Sequence, residues 1–359
     1  MKKLRIMHGF SEVAGQGFYS VLGLKKMNEM AEMVVWLPNR FAYPYDKTLN
    51  IDKNKRIFMP VYVMKLVCFF VLSLFRYNTF HFHYGRSFFL NHELSILKLC
   101  NKKIFYEFHG SDIRNNEIAH KRNKYFPANE VNQSRMIKRN ETICQKADGI
   151  ILHDYELFAY LPEEGEKVHF VPLRIDTGAF TPVYPDPAVD KITIVHAPSN
   201  PKIKGTPYVI EAINELKKKY PIDFILVQNK TQDEARKIYE KADIIIDQLI
   251  IGTYGVFALE GMALGKPVIT YIMNDMLKTF PDELPIQNAN IDNIKSVIEN
   301  LIIHPELRKQ IGMASRKYVE DYHDYRKIAA YLMKIYQGIQ EPVSSKEAFQ
   351  IVKDIFENR

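Results

Sequence analysis

With 359 residues, 47% hydrophobic and 25% charged, the chain has the balance of a soluble globular protein long enough for two domains, which excludes fibrous and wholly disordered classes. Its net charge of +7 is uneven: residues 1–180 carry 26 Lys and Arg against 18 Asp and Glu, and residues 181–359 carry 23 against 24. The three cysteines, Cys68, Cys100 and Cys144, stand at no metal-ligand or redox spacing, which argues against a disulfide framework and for a reducing cytoplasm.

The first element is a strand over Leu4–Met7, whose apolar run stops at once at His8, Ser11 and Glu12 and so does not read as a secretory signal. The loop SEVAGQG, a helix over Phe18–Asn28 and a strand over Met33–Leu37 complete a βαβ unit. Residues 57–75, IFMPVYVMKLVCFFVLSLF, approach the length of a bilayer span, but Lys65 lies at the centre and Pro60 breaks the start, against a spanning helix. Two readings stay open there: a helix buried under a sheet, or an apolar face at the bilayer interface flanked by Lys53, Lys55, Arg56 and Arg76. Strands follow at Thr79–Tyr84, Ile104–His109, Gly149–His153 and Val168–Pro172, with helical material such as Asn129–Lys146 between them. This alternation predicts a parallel sheet covered on both faces.

DTGAFTPVYPDPAVDK, residues 176–191, has prolines at 182, 185 and 187 and no apolar period, and reads as a linker. The alternation then restarts with a strand at Ile192–His196, a helix over Thr206–Lys219, a strand at Phe224–Gln228, a helix over Gln232–Lys241 and strands at Asp243–Asp247 and Pro267–Ile272. A last helical region runs from Pro305 to Gln337. The fold class is therefore α/β: two Rossmann-like parallel-sheet domains facing across a cleft, over residues 1–180 and 181–320, with C-terminal helices over 321–359 crossing back to the first.

The basic excess of the first half suits either an ordinary solvated surface or an anionic partner, a membrane surface or phosphates. Nucleic acid is not expected, because the sequence holds no reader motif and no basic stripe interleaved with stacking aromatics.

GTYGVFALEGMALGKPVI, residues 252–269, is the most informative stretch. Gly252 and Gly255 let the backbone turn tightly, and the helix from Val256 offers unpaired N–H groups and the positive end of its dipole, which suits a phosphate or pyrophosphate. Glu260, one turn inside, can accept hydrogen bonds from two vicinal hydroxyls such as a ribose carries. Gly265 ends the helix and Pro267 opens the next strand. The plainer reading, a buried helix with glycines for packing, must account for a glutamate among Phe257, Ala258, Leu259 and Met262, a residue rarely buried without a partner.

This stretch resembles the donor-binding signature of GT-B glycosyltransferases, especially glycosyltransferase family 4. The resemblance implies that Glu260 holds the ribose, that the turn from Tyr254 through Gly255, Val256 and Phe257 holds the phosphates, and that Gly265, Lys266, Pro267 and Val268 match the family's ending. The family's first glutamate, which contacts the donor sugar, falls on Gly252; Asp247 or Gln248 would have to replace it. HAPSNPKIKGTPYVIEAI, residues 196–213, is similar to the family's strand-loop-helix in which Lys204 and Gly205 neutralise the pyrophosphate, with Ser199 and Asn200 where the companion arginine is absent. Backbone groups near Gln228 and Asn229 would meet the base. In the first domain, EVAGQGF resembles the loop whose Gly15 and Gly17 bring amides near the transferred phosphate. FHGSDIR implies His109 beside the donor sugar, with Asp112 and Arg114 either binding the acceptor or capping the next helix. His81 and His83 of FHFHYG alternate with aromatics on a strand, one face of which is assigned to the core; a zinc site there lacks further ligands.

The resemblance covers Lys3 to about Gln337 and implies a retaining glycosyltransferase acting from a nucleoside diphosphate sugar on a saccharide or lipid-linked saccharide acceptor in cell-surface polysaccharide or glycolipid synthesis. His109, Lys204 and Glu260 would carry the chemistry, with no cofactor beyond that co-substrate and no metal, in the cytoplasm or on the inner face of the cell membrane. A non-catalytic binding subunit and a sugar-nucleotide epimerase share the fold and stay as alternatives.

Overall fold

The computed structural model describes residues 3–39, 41–52, 54–127, 132–162 and 167–342. These form two compact units, one of residues 3–115, 132–174 and 325–342, the other of residues 116–127 and 175–324. Residues 129–131 of the expected Asn129–Lys146 helix, Lys53, and residues 343–359 of the expected C-terminal helices lie outside the described residues.

Along the chain, β1 (Arg5–Phe10), α1 (Gln16–Lys26), β2 (Met30–Val35), β3 (Lys47–Thr48), α2 (Met59–Arg76), β4 (Thr79–His83), α3 (Leu94–Leu99) and β5 (Lys103–Glu107) precede α4 (Asn116–Arg122), which belongs to the second unit. The first unit resumes with α5 (Ser134–Lys146), β6 (Gly149–Leu152) and β7 (Val168–Phe170). Its sheet is parallel throughout, in the order β3-β2-β1-β4-β5-β6-β7. Strands covered on both faces need apolar side chains on both, and the fully buried Ile6, Met33, Phe80, Phe82 and Ile151 meet that need.

The second unit runs through β8 (Ile192–His196), α6 (Pro201–Lys204), α7 (Thr206–Leu216), β9 (Ile222–Leu226), α8 (Gln232–Tyr239), β10 (Ile244–Ile246), α9 (Val256–Ala263), β11 (Val268–Thr270), α10 (Asn274–Leu277), β12 (Gln287–Asn288), α11 (Ile294–Ile303) and α12 (Pro305–Tyr322). Its parallel sheet has the order β12-β11-β10-β8-β9. The chain leaves β8 for β9 on one side and returns to build β10, β11 and β12 on the other, so the loops after β8 and β10 diverge at the carboxyl edge. Such a switch point is where ligands of open parallel sheets bind.

Three expectations need correction. The region Pro305–Gln337 is two helices, because the chain turns at His323 and Asp324; only α13 (Tyr325–Gln337) belongs to the first unit. There Ile328, Leu332, Ile335 and Tyr336 join the core with Val21 and Leu24 of α1, and a Cβ on Gly23 would lie 2.3 Å from that of Ala329. Residues 176–191 are no free linker: the Val183 amide donates to the Leu264 carbonyl (2.9 Å), and the Arg236 guanidinium lies 4.0 Å from the centre of the Phe180 ring. Finally, α2 is no buried helix, since Phe70 and Ser73 are its only buried side chains. Tyr62, Leu66, Phe69, Phe70 and Ser73 make a narrow inner stripe, and the rest of this apolar helix faces outward.

Candidate active site

In the second unit the loop after β8 folds into α6, whose start is capped by Asn200: its side-chain oxygen accepts from the amides of Lys202 (3.2 Å) and Ile203 (3.5 Å). That single turn ends at Gly205, where φ is +78° and a Cβ would meet Leu249 at 3.0 Å, so the position favours glycine twice over. Lys204 is thereby aimed along the sheet edge at the residues that follow β10. Its ammonium donates to Asp247 Oδ1 (2.9 Å) and to the side-chain oxygen of Gln248. The other oxygen of Asp247 accepts from the Gly255 amide at 3.1 Å, and the Gln248 side chain donates to the Thr253 carbonyl.

Gly255 stands at the cap of α9 and has no side-chain cap, so the amides of Val256 and Phe257 open the helix at half-exposed positions. Its own backbone is extended, at φ −114° and ψ −175°, which any residue adopts. This corrects the expected tight turn at Gly255; the left-handed residue is Gly252, at φ +96°. What glycine supplies at 255 is room, since a Cβ would sit 3.5 Å from Asp247 Oδ2 and 3.7 Å from the Lys204 ammonium. At Gly252 a Cβ would lie 2.6 Å from Met273 Cγ, so no carboxylate can stand where the family's first glutamate does.

Glu260, only 6% exposed, projects from the next turn of α9. Burial raises its pKa to about 7, against the hydrogen bond from Gln232 and the positive charge of Arg236. Gln232, the first residue of α8, donates to Glu260 Oε1 at 3.0 Å. That partner was missed from sequence, since only the packing of α8 beside α9 pairs the two. Tyr254 is a correction: it is 4% exposed, its hydroxyl meets His323 Nε2 (3.1 Å) and the Tyr318 hydroxyl (3.4 Å), and its ring lies 4.9 Å from Phe280, so it serves the core and not a ligand. Ser199 and Gln228 are exposed at the carboxyl ends of β8 and β9, and the Asn200 side-chain oxygen is occupied by its cap.

The first unit carries a second polar assembly. Parallel register sets His8 opposite His81 and His83 opposite Glu107, with His109 just beyond β5 and His153 just beyond β6. Contacts run from Glu107 Oε2 to His81 Nε2 (3.1 Å), from His81 to the Tyr336 hydroxyl (2.5 Å), and on to His8 (3.2 Å). They continue through His83 (3.0 Å), His109 (3.1 Å) and His153 (3.0 Å), whose Nδ1 lies 3.4 Å from Glu107 Oε1 and closes a ring. Burial holds all five imidazoles below their ordinary pKa, His153 at about 4. Burial pushes the Glu107 carboxyl up, but the Arg174 guanidinium, 2.6 and 2.7 Å from its two oxygens, and the histidines hold it well below the carboxylate range.

Five of these contacts are hydrogen bonds, joining the imidazoles and the Tyr336 hydroxyl into a chain, whereas the two that reach Glu107, from His81 Nε2 and His153 Nδ1, lack hydrogen-bond geometry. Both nitrogens of His109 are engaged in this ring. The expected shortage of metal ligands is corrected: His8, His81 and His83, and likewise His83, Glu107 and His109, bring three ligand atoms within 4.8 Å of one another. Arg174 sets a fixed cation against Glu107, which opposes a dication in the second group.

The remaining first-unit candidates are held by their neighbours. Arg114 donates to both oxygens of Glu156 (2.9 and 2.7 Å), and Asp112 Oδ1 accepts from the His109 amide (2.9 Å), so these side chains brace the loop after β5, while Asp112 Oδ2 is buried without a hydrogen-bond partner. Glu12 Oε2 accepts from the Phe18 amide at 2.8 Å and fills the start of α1, where Gly15 and Gly17 were expected to present amides. Those glycines answer to packing: a Cβ would lie 2.5 Å from the Tyr19 ring at Gly15 and 2.6 Å from Met33 Sδ at Gly17.

No family model matches the sequence, and no curated protein matches it. Solved structures do. Sucrose-phosphate synthase from Thermosynechococcus elongatus is 14% identical with a TM-score of 0.66, over 93% of this chain and 99% of that one. Anabaena Alr3699/HepE in complex with UDP is 11% identical with a TM-score of 0.64, over 93% and 100%. The lipopolysaccharide outer core galactosyltransferase WaaB is 13% identical with a TM-score of 0.58, over 94% and 100%. At such identities the likeness establishes the fold: the chain has the GT-B glycosyltransferase fold.

Proposed function

We propose that the protein is a glycosyltransferase that moves a sugar from a nucleoside diphosphate sugar to the hydroxyl of a saccharide or lipid-linked saccharide, in surface polysaccharide or glycolipid synthesis at the cytoplasmic face of the cell membrane. The observation that carries this reading is the convergence, at the β8/β10 switch point, of the Lys204 ammonium, the uncapped start of α9 and the buried carboxyl of Glu260. The first two suit a diphosphate, the third a ribose diol. Two neighbours point the same way: HepE was captured with UDP and with UDP-glucose, and WaaB is named for galactosyl transfer.

In this reading the diphosphate gathers negative charge as the glycosidic bond breaks. Lys204 turns from Asp247 toward it, and the amides of Val256 and Phe257 donate to its oxygens, stabilising the transition state more than the ground state. Glu260 exchanges the Gln232 amide for ribose hydroxyls. The first family glutamate has no counterpart, and Asp247 is the nearest carboxylate to the turn, so the resemblance alone supports retention of configuration. His109 positions the loop after β5, because a proton taken from substrate by its ring would break a contact with His83 or His153. A thermal-shift panel of nucleoside diphosphate sugars tests the reading: a true donor at a hundred times its Kd stabilises by roughly 2.7 kcal/mol. Product formed with an acceptor separates a transferase from a binding subunit, and a flat response to every donor overturns the proposal.

A further inference from the structure

The outer face of α2 is uncharged and uncovered within its unit. Met64 is 63% exposed, Leu72 65% and Phe75 76%, with Val61, Val67 and Val71 between them, and Ile57 just before the helix is 86% exposed. The one cation on the helix interior, Lys65, folds away and donates to the Leu49 carbonyl at 3.2 Å. Leu90, 76% exposed, extends the patch beside Phe89, whose ring meets that of Phe70 at 5.5 Å. A soluble monomer seldom exposes a contiguous apolar patch beyond roughly 300–600 Å².

Along the sequence that carries the patch the charge has one sign: from Lys53 to His92 there is no Asp or Glu and six residues are cationic. Of these, Lys65 is turned onto the Leu49 carbonyl and Arg76 is paired with Glu32, while Lys55 and Arg86 are exposed. A protein partner would need an acidic rim matched residue by residue; a bilayer bearing anionic headgroups offers both an apolar interior and a diffuse negative surface. We infer that α2 docks this protein on an anionic membrane, lying in the plane of the interface and not across it. Crossing is opposed by the inner stripe. Phe70 packs on Phe88 with ring centroids 5.0 Å apart, Phe69 packs on Phe10 at 6.5 Å, and Arg76 bonds Glu32, contacts that a spanning orientation would strip. Eighteen residues also rise only about 27 Å, short of the ~30 Å hydrocarbon core. A catalytic chain held this way takes its acceptor from the bilayer, a consequence that rests on the transfer reading, although the docking does not.

The test is flotation of the full-length protein with vesicles of phosphatidylcholine containing about a third phosphatidylglycerol, beside vesicles of phosphatidylcholine alone. Wild type should float with the anionic vesicles, bind at least several-fold less to the neutral ones and come off in carbonate wash. The double variant Met64→Glu with Leu72→Glu, both on the outer face, should melt at the wild-type temperature and lose at least tenfold of vesicle binding. Equal binding by the double variant, no binding by wild type, or retention after carbonate overturns the inference. A wild-type dimer that the double variant dissociates, without vesicle binding, assigns the face to a second copy and also overturns it. Nucleoside diphosphate binding, measured on the same preparations, reports on the second unit alone and keeps the two failures distinguishable.

Discussion

Replacing Glu260 by Gln should stabilise the protein while weakening its ligand site. Burial lifts the Glu260 pKa from an ordinary 4.5 to about 7, so the folded state resists ionisation of a group that the unfolded chain ionises freely. The sign follows from linkage. Below pH 4.5 the carboxyl is protonated in both states and costs nothing; between 4.5 and 7 the penalty grows; above 7 it is constant. Its ceiling is the shift of about 2.5 pH units at 1.36 kcal/mol each, or roughly 3.4 kcal/mol. Gln keeps an oxygen for the Gln232 amide and removes the charge, so the variant should gain roughly 3 kcal/mol at pH 8 but under about 1 kcal/mol at pH 5. In a unit of this size that difference is roughly 5–10 °C in melting temperature. Scanning calorimetry of both proteins at the two pH values measures it. Binding of a nucleoside diphosphate should fall about thirtyfold in the variant, the cost of one charge-assisted hydrogen bond. Wild-type affinity should also rise from pH 6 to pH 8 as the carboxyl ionises. A variant whose gain is the same at pH 5 and pH 8, or that binds nucleotide as tightly as wild type, refutes the reasoning.

Lys204→Ala leaves Asp247 facing the phosphate site without its counter-ion, and titration calorimetry should show nucleoside diphosphate affinity falling by at least tenfold. The imidazoles of His153, His169 and His196, held at about 4 by burial, should still be neutral at pH 5.5 in nitrogen-15 spectra, where a titration near 6.5 would contradict their burial. Their contribution to stability is complete above pH 6.5 and lost as pH falls through 4, opposite in sign to Glu12, whose pKa is raised to about 8. Gly312→Ala should lower the melting temperature by at least 6 °C, because its Cβ would fall 2.2 Å from the Gly265 carbonyl oxygen where α12 crosses the end of α9, and backbone cannot yield as a side chain does.

Four strands of the second unit were readable because each holds a short apolar run, and β8 falls on the expected Ile192–His196, whereas β12, the polar pair Gln287–Asn288, carries no such signal. The positions of Lys204 at the end of α6 and of Glu260 inside α9 were readable because Gly205 and the glycines around α9 mark where backbone conformation changes. Tyr254 was misassigned for a physical reason: sequence places it in the phosphate turn, but which way a turn residue points is decided by Tyr318 and His323, more than sixty positions later. The histidine ring was illegible because it depends on strand order, which sets β4 between β1 and β5. The inner stripe of α2, with Tyr62 and Ser73, is no more apolar than the outer one, so hydropathy does not point to the face that the sheet covers.

The placement of α13 bears on biogenesis. The sheet face beside α1 in the amino-terminal unit is made early, but the strip that seals it, with the Tyr336 hydroxyl that bridges His81 and His8, is translated after nearly all of the other unit. At roughly 5–20 residues per second, the ribosome needs about 8–30 s to travel from Arg174 to Tyr336. For that interval the nascent chain shows an unsealed apolar surface to chaperones, and the half that is synthesised first is the half that matures last.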